Sequence, residues 1–322
     1  MTTPDAASSY DVGRVRADFP ALASGTAHFD GPGGSQVPRQ VADAVASTLV
    51  ASISNRGSVT AAARRAEEVV VGCRAALGDL LATDPGGVVL GRSATALTFE
   101  VARAMAQHWG PGDEVVVTRL DHDGNIRPWV VAAERAGATV RWAGFDRETG
   151  VLDVADVEEV LSERTRLVAV TGASNLLGTR PDVPAIAAAA HAVGALVCVD
   201  AVHLTPHAVV DRGALGADLL TCSPYKYLGP HCGVLAADPA LLERFSPDKL
   251  LPSTDAVPER YELGTLPYEL MAGTAAAVDH LAALVPGEGT RRERLVRSMT
   301  ALDAYEESVV RRLDDEIGRA HV

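Results

Sequence analysis

The sequence predicts an α/β fold, with a mostly parallel central sheet flanked by helices. Two observations carry the prediction. Short, strand-like apolar runs alternate with helix-length segments along most of the 322 residues, the order expected of βαβ units. Glycine and proline breaks close the helical segments, as at Gly110-Pro111-Gly112, Gly137 and Gly194, where a helix needs a stop.

The elements follow in order. Residues 36–52 and 61–81 read as helices. A strand at 88–90 leads into a helix at 94–108, then a strand at 114–118. A helix at 126–136 precedes a strand at 139–142. Residues 154–161 read as helical, 167–171 as a strand, and 183–193 as an Ala-rich helix. Strands follow at 195–200, 218–222 and 233–236. A helix at 269–284 ends at the Pro286-Gly287-Glu288-Gly289 break, and 290–315 reads as a long charged helix. The expected layout is an N-terminal segment (1–25), a large domain (26–285) and the start of a small C-terminal domain (286–322).

Composition narrows the function. The chain is 47% hydrophobic but only 4% aromatic, so small aliphatic side chains build its core. A net charge of −13 repels phosphate backbones and argues against nucleic acid as a partner. The four cysteines, at 73, 198, 222 and 232, lack metal-ligand spacing, and no metal site is expected. Their sparse use suits a reducing compartment. Residues 1–11 lack the apolar core of a signal peptide, and no run approaches the roughly 18 apolar residues of a membrane span. The expectation is a soluble, cytoplasmic protein that spans no membrane.

Chemistry concentrates in loops after strands, where α/β proteins place their sites. Asp200 ends an apolar strand, where a carboxylate is costly to desolvate unless a cation compensates it. Lys226 lies in Ser223-Pro224-Tyr225-Lys226-Tyr227, not on a typical polar face. Partial burial there lowers an amine's pKa and frees it for imine formation. An amine and an anionic partner for a pyridinium nitrogen are what pyridoxal phosphate chemistry asks of a protein. His203 follows Asp200 closely, on the expected far side of such a ring. His122, in Leu120-Asp121-His122-Asp123-Gly124-Asn125, can stack on a ring and move protons; an isolated loop histidine is more often solvated. Asn175 is placed to donate to a phenolate oxygen, or simply to form a turn. Gly91-Arg92-Ser93-Ala94-Thr95 opens a helix as either a phosphate cradle or an ordinary cap. Ser223 and Tyr225 offer hydroxyls to a phosphate. Gly31-Pro32-Gly33-Gly34 has no dinucleotide-binding context and is expected to bring the N-terminal chain near the site mouth. Cys198 and Cys222 read as small hydrophobes.

Together these fragments resemble the class V aminotransferase family of fold-type I pyridoxal phosphate enzymes, especially its cysteine desulfurase-like branch. The resemblance runs from about 29 to 284 and rests on Phe29-Asp30 with Pro38, Asn55-Arg56-Gly57, Ala94-Thr95, Gly112-Asp113-Glu114, His122 with Asn125-Ile126 and Pro128-Trp129, Ser174-Asn175 with Gly178, Val199-Asp200-Ala201, Ser223 with Lys226, and Gly264-Thr265. It implies pyridoxal 5′-phosphate as cofactor and a small-molecule amino acid as substrate. Lys226 would bond the cofactor and move the substrate α-proton. Asp200 would pair with the ring nitrogen, His122 would stack, and Asn175 and His203 would flank the ring oxygen. Ala94, Thr95, Ser223 and Tyr225 would hold the phosphate. Thr265 would reach the phosphate of the partner subunit in a homodimer.

Two departures qualify the implied reaction. His203 and Tyr225 stand where characterised desulfurases carry Gln and His. The family's small domain, which supplies a carboxylate-binding Arg and a sulfur-accepting Cys, is expected to be truncated here, and 317–322 resemble translated adapter sequence. Transamination, epimerisation or β-elimination of another amino acid stays open beside desulfuration. So does a chain that binds cofactor without turnover, and more distantly a nucleotide-binding protein.

Overall fold

A computed structural model of the protein describes residues 10–320, with side chains described as far as 317. Residues 1–9 of the expected N-terminal segment and 321–322 of the tail lie outside the described residues. Helix α1 (Val12–Arg16) is capped by the Asp11 carboxylate, which accepts from the Arg14 amide. Helices α2 (Arg39–Val50) and α3 (Ala61–Leu81) follow. Helix α2 starts three residues later than its composition suggested. Pro38 takes the N-cap in extended backbone, and the residue before a proline is held out of helical geometry.

The central block alternates as β1 (Val88–Gly91), α4 (Ala94–Ala106), β2 (Glu114–Thr118), α5 (Arg127–Ala136), β3 (Thr139–Ala143), α6 (Val154–Glu158) and β4 (Thr165–Thr171). It continues with α7 (Val183–Ala192), β5 (Leu196–Asp200), β6 (Leu219–Cys222) and β7 (Gly233–Ala237). Helices α8 (Pro239–Leu242), α9 (Tyr268–Ala282) and α10 (Arg291–Ala320) come last. Helix α6 is shorter than the expected 154–161, because the Val160 and Leu161 amides turn to the carbonyls three residues back, of Val157 and Glu158, and the Ser162 amide then turns to the Thr165 hydroxyl at 3.0 Å.

The seven strands form one sheet in the order β1-β7-β6-β5-β4-β2-β3. Strands β2 to β6 pair in parallel, and β7 is antiparallel to both β1 and β6. Six strands therefore end at one edge, and only β7 begins there. The sheet separates two apolar layers. Val88 and Leu90 face the layer holding α3, α7 and α9, whereas Val89 faces that of α4 and α5, the period-2 alternation of a strand buried on both sides. Each fully buried Leu or Val in these layers contributes about 1.5–3 kcal/mol. Leu295 and Met299 of α10 join the first layer. Among the described residues no helix is long and apolar enough to cross a membrane.

Candidate active site

The strand edge where β1, β2, β4, β5 and β6 end opens on a cleft of about 170 Å³. Ala94, Thr95, His122, Asn175, Asp200, His203, Ser223, Tyr225 and Lys226 all line it. Thr265 does not. It is exposed and lines a separate groove with Arg92, Glu100 and His231.

At one end of the cleft lies the start of α4. Ser93 is its N-cap, accepting from the Ala96 amide at 3.1 Å, so its hydroxyl does the capping that composition also allowed. The amides that follow, at Ala94 and Thr95, have no helical partners by construction and line the cleft. Gly233 begins β7 directly against this turn, where a Cβ would sit 2.1 Å from the Ser93 carbonyl carbon. Gly124 is as constrained. A Cβ there would lie 2.9 Å from both Thr95 Oγ1 and His122 Nδ1, so the missing side chain lets the His122 loop approach α4.

His122 Nδ1 accepts from the Gly124 amide at 2.9 Å, which leaves the neutral ring's proton on Nε2. Asp121 lies beside it. Its carboxylate accepts from Thr118 Oγ1, from Asn125 Nδ2 at 2.7 Å and from the Thr171 amide at 3.0 Å. It thereby ties the ends of β2 and β4 to the turn that carries His122. Burial raises the Asp121 pKa to about 7, against the pull of the Thr118 and Asn125 hydrogen bonds, with the nearby Asp200 charge adding to the rise.

Asp200 closes β5, buried, with Oδ1 accepting from the Val202 amide at 2.8 Å. Burial raises its pKa; that amide, His122 and Lys226 oppose the shift. Lys226 ends the short turn after β6, whose Lys226 amide bonds the Ser223 carbonyl at 3.0 Å. Partial burial lowers the amine's pKa, with Asp200 opposing. The cleft thus holds a carboxylate disposed to seek a cation and an amine disposed to be neutral.

His203 Nδ1 is buried without a hydrogen-bond partner. Burial, then His207, Lys226 and Arg180, hold the ring's pKa down to about 4. Tyr225 stacks on His231, with centroids 4.9 Å apart and planes within 8°. Its carbonyl accepts from the Ser35 amide at 2.9 Å and hydroxyl at 3.0 Å, and that hydroxyl accepts in turn from the Leu228 amide at 2.7 Å. Pro32 reaches the cleft wall. The Gly-Pro-Gly-Gly segment does bring the N-terminal chain to the site mouth.

Sequence reasoning passed over Asp121, Thr118 and Thr171. Only the loop position of Asp121 was visible, and that signal marks any surface turn. All four cysteines are buried and unpaired, and burial raises their thiol pKa values.

A sequence model of the family described as "Aminotransferase class-V" matches residues 27–301. An uncharacterized protein of Mycobacterium tuberculosis (strain CDC 1551 / Oshkosh), MT3887, is 40% identical over 299 residues, covering 92% of this chain and 75% of the relative. A probable cysteine desulfurase of Pseudomonas aeruginosa is 31% identical over 311 residues, covering 89% and 77%. Among solved structures, the cysteine desulfurase CsdA of Escherichia coli superposes with a TM-score of 0.77 at 26% identity, over 88% of this chain and 73% of that one.

Proposed function

The chain belongs to the aminotransferase class-V family, and we propose that it is a pyridoxal 5′-phosphate enzyme that transforms an amino acid in the manner of the cysteine desulfurases. Members of the family depend on this cofactor. The observation that carries the reading for this chain is Asp200. A carboxylate buried at a strand end with one amide partner is compensated by a protonated ring nitrogen, and the Lys226 amine lines the same cleft. The unpartnered Nδ1 of His203 fits a ring hydroxyl, and the open amides of Ala94 and Thr95 fit a phosphate.

When bound, the cofactor supplies an aldehyde and an electron-withdrawing ring that loosens bonds at an amino acid's Cα. The side chains would do the rest. Asp200 would hold the proton at the ring nitrogen. Lys226, kept toward its neutral form by burial, would anchor the aldehyde and later carry the proton at Cα. His122, with Nδ1 engaged by Gly124, would lie against the ring and present a proton at Nε2. Asn175 and His203 would address the ring oxygen, and Ser223 and Tyr225 the phosphate beside Ala94 and Thr95. Thr265, exposed on its own groove, would reach the phosphate held by a second copy, which would make the working unit a homodimer.

The test is optical. Adding pyridoxal phosphate to purified protein is expected to give a visible absorbance band that Lys226→Ala abolishes. Wild-type protein that stays colourless overturns the reading. Sulfide and alanine released from cysteine would identify desulfuration. The second reading is transamination, epimerisation or β-elimination of another amino acid. It is favoured by His203 and Tyr225, which line the cleft where the resemblance to desulfurases would place Gln and His. Colour without any product would instead mark a chain that binds cofactor without turnover.

A further inference from the structure

We propose that His207 and Glu306 are positioning residues, which fix the ring of His203 and so link helix α10 to the polarity of the cleft. The inference rests on the reading that the cleft takes pyridoxal phosphate. It adds two residues that do not themselves line the cleft.

The cleft shares Ala173 and His203 with a second groove, which runs between the loops after β4 and β5 on one side and α10 on the other. In that groove His203 and His207 meet edge to face, with ring centroids 5.0 Å apart and planes at 63°. His207 Nδ1 lies 2.9 Å from Glu306 Oε2. A carboxylate only accepts, so His207 must donate from Nδ1, and its orientation is set by α10. The contact fixes the ring against which His203 packs. His203 is the side chain that needs fixing, because its buried Nδ1 has no partner in the protein. An unanchored ring with a free polar atom loses affinity for a ligand through the cost of ordering it.

Charged and titratable groups surround His203 on every packed element. His207 lies on its own segment, Lys226 on the loop after β6, Arg180 on the loop after β4, and Glu306 on α10 behind His207. Arg180 is itself clasped to α10 by Asp303 at 3.0 Å. Two side-chain pairs therefore fasten α10 along the groove, and only the Glu306 pair ends on the neighbour of His203. Glu306→Gln keeps an acceptor for His207 Nδ1 but turns a charge-assisted contact into a weaker neutral one, so His207 is held less firmly. It also leaves more net positive charge facing His203, so a bound hydroxyl there ionises more easily.

The experiment follows the visible band of the chain loaded with pyridoxal phosphate across pH, together with cofactor affinity, in wild type and in Glu306→Gln, His207→Gln, Asp303→Asn and His203→Gln. Glu306→Gln is expected to move the midpoint of the spectral titration down by about half a pH unit and to weaken cofactor binding a few-fold. His207→Gln, if it folds, is expected to weaken binding likewise. Asp303→Asn also leaves Arg180 uncompensated but keeps His207 held, so it is expected to lower the midpoint without weakening cofactor binding. In the His203→Gln background, Glu306→Gln is expected to change neither quantity. An unmoved midpoint in Glu306→Gln, an equal loss of cofactor affinity in Asp303→Asn, or a shift that persists without His203 each overturns the proposal. A wild-type protein that never colours instead fails the cofactor reading on which this one stands.

Discussion

Two carboxylates stand out at the scale of single residues, Asp200 buried in the cleft wall and Asp121 half-buried in the turn that carries His122, and each costs the cofactor-free protein stability. Asp200 has one amide partner. Asp200→Asn keeps an acceptor for the Val202 amide and removes the buried charge, so the cofactor-free protein is expected to melt higher, by about 1 kcal/mol of stability. The gain in melting temperature on adding pyridoxal phosphate is expected to shrink, because ligand stabilisation follows affinity. Differential scanning fluorimetry with and without cofactor measures both. An unchanged ligand-induced gain would refute the role of Asp200. Asp121 gives a pH signature. Its pKa is raised from 3.8 to about 7, so the folded state binds this proton more tightly than the unfolded chain does. The associated stability is full below about 3.8 and is lost as pH rises through about 7. In Asp121→Asn the melting temperature is expected to lose that decline, and a decline that persists would assign it to another group. Asp200 was legible in the sequence because a charge closing an apolar run contradicts its surroundings. Asp121 was not, since it stands in a polar turn and acquires its role from Thr118 and Thr171, which end two different strands.

Secondary elements were legible in type and less so at their ends. Apolar runs and glycine stops located every strand within a residue or two, whereas Pro38 and the Ser162 turn moved the limits of α2 and α6. Side-chain pairs between elements were invisible, because they depend on register. The start of β2 illustrates this. Glu114, buried, accepts from Arg141 of β3 at 2.8 Å, from Arg164 at 2.7 Å and from Ser162 at 2.7 Å, which pins three neighbouring strands at the edge opposite the cleft. The Arg141 and Ser162 hydrogen bonds, followed by Arg164, hold its pKa down to about 2 against burial. The stabilisation is present above about 4.5 and is lost as pH falls toward about 2. Glu114→Ala is expected to cost about 1–3 kcal/mol in urea unfolding at neutral pH. Because both arginines are partly exposed and can return to water, a loss well beyond that range would mean that the mutation disturbs the strand pairing itself.

Across the whole molecule, the cleft exists because of strand order. Residues from 32 to 226 meet there only because β4 lies between β2 and β5, and because β1 returns to pair with β7. No local pattern encodes that order; the resemblance to a known family implied the fold as a whole, and the comparisons bear it out. The same topology ties two further stretches to the site by different routes, α10 through His207 and the stretch before α2 through Ser35.

On the reading that the cleft takes pyridoxal phosphate, that second route is expected to let the stretch around Ser35 report occupancy. Ser35 joins the Tyr225 carbonyl to the Leu228 amide, so the loop that presents Lys226 is laced to a stretch whose neighbours, Phe29 to Gly33, are exposed. Anything that stiffens the loop stiffens the lace. A protease attacking near residue 30 is therefore expected to cut more slowly when pyridoxal phosphate is present, and Ser35→Ala is expected to erase the protection while the chain still colours. Equal cutting rates with and without cofactor would mean that the lace carries no message.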